Sequence, residues 1–238
     1  SRMRQIFLDT ETTGFNANLA QNPDRMVEIG CVELVNRKLT GNNLHFYLNP
    51  ERDSEEGALR VHGLTTEFLS DKPKFGSIAR ELLDYVADAE IIIHNAPFDL
   101  SFLDAELARA GHQAFRSYVG SVIDTLVMAK EMFPGKRNSL DALCDRLEVD
   151  NSGRTLHGAL LDAELLADVY INMTRGQDAL LMDAGSPDEA GVVAVQIDLR
   201  GFVLPVVAAN AQELLAHEEV MSQLDKSSGG KTLWRKLA

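Results

Sequence analysis

The hydrophobic period of this chain changes part-way along it, and that change sets the fold class. Residues 5–8 and 26–35 are largely apolar and 44–48 alternate, the marks of strands. The turn-forming stretches Asn36-Arg37-Lys38 and Thr40-Gly41-Asn42 separate the last two, so the three strands are expected to form an antiparallel meander. Beyond Pro73, Ile78, Leu82, Leu83 and Val86 recur at helical spacing. Ile91-Ile92-Ile93 then reads as a short buried strand, and 98–110 as a helix again. Further helices are expected over 125–132, over 139–147 with Ser139 as N-cap, and over 159–173. The spacing predicts an α/β protein with a mixed sheet and helices packed on it.

At 238 residues, 45% hydrophobic and 25% charged, the chain is long enough for one domain with an appendage. Residues 1–175 carry the periodic segments and are taken as the folded domain. From 176 to 225 the stretch is acidic, with Arg200 as its one base, and residues 226–238 are basic without an acid. Such blocks suit a linker and interaction tail over 176–238. The longest apolar run, 202–209, contains Pro205 and falls far short of the roughly 20 residues that a membrane span needs. The N-terminal apolar stretch is too short for a signal peptide, so a cytoplasmic protein without membrane contact is expected. Cys31 and Cys144 stand alone, without a CxxC or Cys/His cluster, and are read as buried thiols in a reducing compartment. A net charge of −13 disfavours a broad surface built to coat nucleic acid.

Three fragments carry candidate chemistry. The first strand ends in Asp9-Thr10-Glu11-Thr12-Thr13-Gly14, and strand alternation projects Asp9 and Glu11 to one side at its carboxyl end, where α/β sheets place ligands. His94-Asn95-Ala96-Pro97-Phe98-Asp99 follows the 91–93 strand and opens a helix, which puts Asp99 in a first helical turn. In His157-Gly158-Ala159-Leu160-Leu161-Asp162, the histidine and aspartate can converge only if His157 lies in the loop before the helix, because five residues of helix would turn them apart by about 500°. Taken singly, each has an ordinary structural explanation: rim acids in solvent, a helix-start carboxylate favoured by the dipole, a loop histidine. Four carboxylates and a histidine gathered at one sheet edge would be costly without a cation, and ligation by oxygen without sulfur points to Mg²⁺ or Mn²⁺.

In this order, Asp9-x-Glu11, Asn95-x-x-Phe98-Asp99 and His157-x-x-x-x-Asp162 resemble the three motifs of the DEDDh (DnaQ-like) superfamily of 3′→5′ exonucleases. Residues 6–14, 133–144 and 155–163 are similar, more narrowly, to the proofreading subunits of bacterial replicative polymerases. The resemblance spans roughly residues 4–176. It implies a ribonuclease H-like mixed five-stranded sheet flanked by helices. It implies that Asp9, Glu11, Asp99 and Asp162 hold two divalent cations, Mg or Mn, and that His157 is the general base. It also implies a DNA 3′ end as substrate, in contact with Asp9, Glu11, Thr12, Thr13, His62, Phe98 and Asp162. For His62 and His94 a loop or structural histidine is the competing explanation, and for Phe98 a core residue.

The tail has its own resemblances. Gln177-Asp178-Ala179-Leu180-Leu181 is similar to peptides that dock on sliding clamps through Gln177, Leu180 and Leu181, with Gly176 before it as the expected helix C-cap. A frayed helix end explains it equally well. The segment of about 200–238, which holds Trp234, corresponds to the part that in this family binds the polymerase alpha subunit. Two rival functions stay open on sequence alone: an RNA-trimming nuclease, since nothing in the motifs detects a 2′-hydroxyl, and a non-catalytic scaffold between polymerase and clamp. No GxGxxG, GxxxxGK[ST] or HExxH competes.

Overall fold

The computed structural model describes residues 3–183, with side chains as far as Arg175, and Leu215, residues 218–220, Ser222, Gln223 and Lys226 beyond. The chain divides into two compact units, Ser1–Ser186 and Pro187–Ala238. Trp234 and residues 202–209 lie outside the described residues, as do the side chains of Gln177, Leu180 and Leu181.

The first unit opens with β1 (Arg4–Thr12), β2 (Met26–Val35), β3 (Lys38–Leu39) and β4 (Leu44–Tyr47). Helices α1 (Glu56–His62), α2 (Thr66–Leu69) and α3 (Phe75–Val86) lead to β5 (Glu90–Ile93) and α4 (Ala96–Arg109). There follow β6 (Ser121–Asp124), α5 (Thr125–Met132), α6 (Leu140–Arg146) and α7 (Ala159–Asp183). Strand order is β3-β2-β1-β5-β6, with β4 also on β2. β1 to β4 pair antiparallel, whereas β5 and β6 run parallel to β1. The mixed α/β class and the meander are therefore as expected. The sheet has six strands instead of five, because the position beside β2 is shared by β3 and β4, split at residues 40–43.

Alternation along β1 divides the core. Ile6 and Leu8 face α3 and α4, packing with Leu82, Ile91, Ile93, Phe102 and Leu103. Phe7 faces the other way, onto Ala163, Leu166, Ala167 and Tyr170 of α7, with its ring 5.4 Å from that of Tyr170. Cys31 and Cys144 are free and buried. Among the described residues no helix is long and apolar enough to cross a membrane.

Local chemistry explains the boundaries that place the site. Asn95, at the start of α4, adopts a left-handed φ of 65°, a conformation that Asn tolerates better than most residues. Pro97 lies in that helix's first turn, where its missing N–H costs nothing. Asp124 caps α5 by accepting from Leu126 N–H at 2.8 Å and also accepts from Asn95 N–H at 3.0 Å, tying the ends of β5 and β6 together. Ser139 caps α6 as expected, accepting from Ala142 N–H at 3.2 Å. One expectation fails here: α7 does not stop at Gly176 but runs on to Asp183. The cost of about 1 kcal/mol for an interior glycine is outweighed by the good helix formers that follow, Ala179, Leu180, Leu181 and Met182.

Candidate active site

The carboxyl end of β1 carries the first two acids. Asp9 and Glu11 have the parity of Phe7 and project toward α7, where Asp162 stands in the first helical turn. Thr10, with the opposite parity, donates its hydroxyl to Asp99 Oδ1 of α4 at 2.7 Å. The acids thus reach one sheet edge from both helical layers. His157 lies in the loop before α7, as its convergence with Asp162 requires, and its N–H donates to Val61 O at 2.9 Å. Ligand atoms of Glu11, His157 and Asp162 all lie within 4.8 Å of one another.

Two contacts fix the start of α7. Gly30 on β2 passes so close to the backbone of Ala159 and Leu160 that no side chain would fit. Glu28, which faces Glu11 across the β1–β2 ladder, accepts the Ala159 N–H with one oxygen while its other lies 3.3 Å from His45 Nε2. Glu28 is a buried acid matched to a helix N-terminus, where the dipole favours it.

These acids surround a cavity of about 340 Å³, lined also by Phe15, His62, Phe98, Leu140 and Arg154. Burial and crowding push the carboxyls of Asp9, Glu11 and Asp99 toward the protonated form. Burial raises Asp9 well above its ordinary value, helped by Asp99, Glu11 and Asp162. Glu11 rises to about 9, through burial and then Asp162, Glu28 and Asp99. Burial takes Asp99 to about 7 against the lowering effect of the Thr10 hydroxyl. Asp9 Oδ2 is buried and, among the described residues, has no hydrogen-bond partner. An orphaned carboxylate oxygen amid repelling acids is what a hard divalent cation would satisfy, and the donors, carboxylate oxygens and one imidazole, fit such an ion. His157 shifts below its ordinary value, chiefly through burial and then through Arg154, which keeps the imidazole neutral at pH 7.

The remaining sequence candidates are placed as follows. Thr12 lines the cavity, its hydroxyl donating to Gly14 O at 2.6 Å. Thr13 is fully buried and spends its hydroxyl on Asp24 at 2.8 Å. His62 lines the cavity with both ring nitrogens engaged: Nδ1 accepts from Leu64 N–H at 2.9 Å, which leaves Nε2 to donate to Thr12 O at 3.1 Å. Likewise His94 bridges Thr125 and Asn138 at 2.8 Å each. Phe98 is half-buried at the cavity wall, between Phe102 and Phe15.

Two of the charged or aromatic residues that line the cavity escaped sequence reasoning. Phe15 is 75% exposed beside the acids, and an aromatic directly after Thr12-Thr13-Gly14 was the available signal. Arg154 has a 6% exposed side chain and pairs with both oxygens of Asp162, Nε to Oδ1 at 2.7 Å and Nη2 to Oδ2 at 2.8 Å. Nothing in its sequence context marks it.

The sequence pattern of a family described as "Exonuclease" matches residues 6–170. Over 98% of its length the chain is 51% identical to the DNA polymerase III subunit epsilon of Pasteurella multocida, covering 94% of that protein. Over 98% of its length it is also 48% identical to the subunit of that name from Escherichia coli, covering 97% of it. This chain belongs to the DNA polymerase III epsilon family of exonucleases. Among solved structures, the fold is like that of exonuclease X in complex with 5′-overhanging duplex DNA, with a TM-score of 0.57 at 24% identity, over 74% of this chain and 93% of that one. The zinc-bound form of Escherichia coli exonuclease I with single-stranded DNA gives a TM-score of 0.63 at 20% identity, over 76% of this chain and 42% of that one. The family pattern thus ends inside α7 and contains every acid of the cavity.

Proposed function

We propose that the chain is a metal-dependent 3′→5′ DNA exonuclease that proofreads for a replicative polymerase, releasing nucleoside 5′-monophosphates. The observation that carries this reading is the meeting of Asp9, Glu11, Asp99, Asp162 and His157 in one cavity, around a buried carboxylate oxygen without a partner. Asp9, Glu11, Asp99 and Asp162 would hold two divalent ions, Mg²⁺ or Mn²⁺. Such a pair, when bound, stabilises the attacking and leaving oxygens of an in-line displacement at phosphorus.

The chain's own groups do the rest. Neutral His157 accepts a proton from the attacking water, the phosphorus–O3′ bond breaks, and the freed 3′-oxygen takes up a proton from solvent. Phe98 and the exposed Phe15 present ring faces and edges to the terminal base, which stacking would hold without regard to its identity. Thr12 meets the terminal nucleotide, and His62, through its bond to Thr12 O, holds that residue in place. DNA as the substrate is supported by the names of the epsilon relatives and of exonuclease X with duplex DNA.

A net charge of −13 gives little intrinsic hold on a polyanion, so tethering is needed to keep the enzyme at the primer end. Residues 1–175 are the nuclease part and 176–238 the tether. Gln177, Leu180 and Leu181 would dock on the sliding clamp, and 200–238 with Trp234 on the polymerase alpha subunit. A cytoplasmic replication enzyme is the setting this implies. The deciding assay follows single-stranded and mispaired primer DNA in Mg²⁺, in chelator, and with Asp9→Ala. Digestion is expected in Mg²⁺ alone with the native chain, and digestion by the variant would overturn the reading.

A further inference from the structure

We propose that Arg154 is a built-in stand-in cation, holding Asp162 until a divalent ion displaces its guanidinium onto Asp141. The inference rests on the metal-dependent reading above and concerns how the site survives without the ion.

Among the residues lining the cavity, Arg154 is the one lysine or arginine. Its fork covers both carboxylate oxygens of Asp162, leaving none uncontested for a metal. The third nitrogen, Nη1, lies 2.7 Å from Asp141 Oδ1 on α6. The two acids differ in setting: the side chain of Asp162 is 6% exposed and that of Asp141 55%. A buried Asp162 stripped of any cation would be strongly destabilised, whereas Asp141 is open to solvent and also accepts from Asn151 Nδ2 at 3.0 Å. An arriving ion therefore exchanges one cation for another at Asp162, and Arg154 keeps a partner throughout.

The backbone around Arg154 is held independently of its side chain. Its N–H donates to Asn151 O at 3.0 Å, and His157 N–H to Val61 O at 2.9 Å, so the exchange needs only side-chain rotation. Because Arg154 competes for the ligand, the apparent affinity of the metal is lowered by the fraction of molecules in which Asp162 is covered.

The test is Mn²⁺ binding to the full chain by titration calorimetry without DNA, together with thermal melting in chelator. Arg154→Gln is expected to bind Mn²⁺ roughly 10-fold more tightly than the native chain, the scale on which neighbours of metal ligands act. In chelator it should melt at a lower temperature. Asp141→Asn removes the alternative partner, fastens Arg154 to Asp162, and is expected to weaken Mn²⁺ binding. If Arg154 were only a loop clamp, both variants would weaken binding, and weaker or unchanged binding by Arg154→Gln overturns the proposal. Should that variant not fold, Asp141→Asn, at an exposed position, still decides: unchanged or tighter binding overturns it. Absence of Mn²⁺ binding by the native chain would instead overturn the metal-dependent reading, and this inference with it.

Discussion

His157→Ala removes the proton acceptor but little packing, since the residue sits in a loop held by backbone contacts on either side. The expected loss is roughly 10²- to 10⁴-fold in the hydrolysis rate of 3′-labelled single-stranded DNA, with the melting temperature nearly unchanged. An undiminished rate would remove His157 from the general-base role. The acids predict a pH signature of the metal-free protein. Glu11 at about 9 and Asp99 at about 7 are held above their ordinary values of 4.5 and 3.8. The native state then binds more protons than the unfolded one, so stability falls as pH rises. The loss begins near the ordinary values and continues through the raised ones. In chelator, the melting temperature should drop from about pH 7, above the ordinary value of the buried histidines, to about pH 9, and Mg²⁺ should raise it more at the alkaline end, where the repelling charges are present. A melting temperature in chelator that climbs over this range would contradict the crowding described above.

At the scale of the elements, Gly30 is the most exacting position. A methyl there would run into the α7 backbone at Ala159 and Leu160 and push the helix from the sheet. Gly30→Ala is expected to cost about 1–3 kcal/mol in chemical denaturation, the range for overpacking. It should also reduce nuclease activity by more than the unfolded fraction explains, because Asp162 and His157 move with the helix. This dependence cannot be read from Val27-Glu28-Ile29-Gly30-Cys31, where the glycine looks like any weak point of a strand. Asp9, Glu11 and Asp99 were legible because alternation and a helix start are local properties. β6 was not: Ser121–Asp124 is four residues long, follows Gly120, and becomes a strand through pairing with β5, a contact distant in sequence. The short helices α1 and α2 and the two-residue β3 lack the length to show a period. Arg154 was invisible for a related reason, since its meaning lies in Asp162 and Asp141, on two different helices.

For the whole molecule, the division of labour predicts that a chain ending at Arg200 digests free single-stranded DNA as fast as the full chain but no longer co-purifies with the polymerase alpha subunit. Retained association of the shortened chain in a pull-down would place the contact within residues 1–200. Inside that unit, the acids come from both helical layers and the last of them arrive with α7. During synthesis, a chain that has emerged only as far as α6 carries Asp9, Glu11 and Asp99 but has neither Asp162 nor His157. The order of the elements along the polypeptide therefore leaves the cavity without two of its lining residues until the start of α7 has been made.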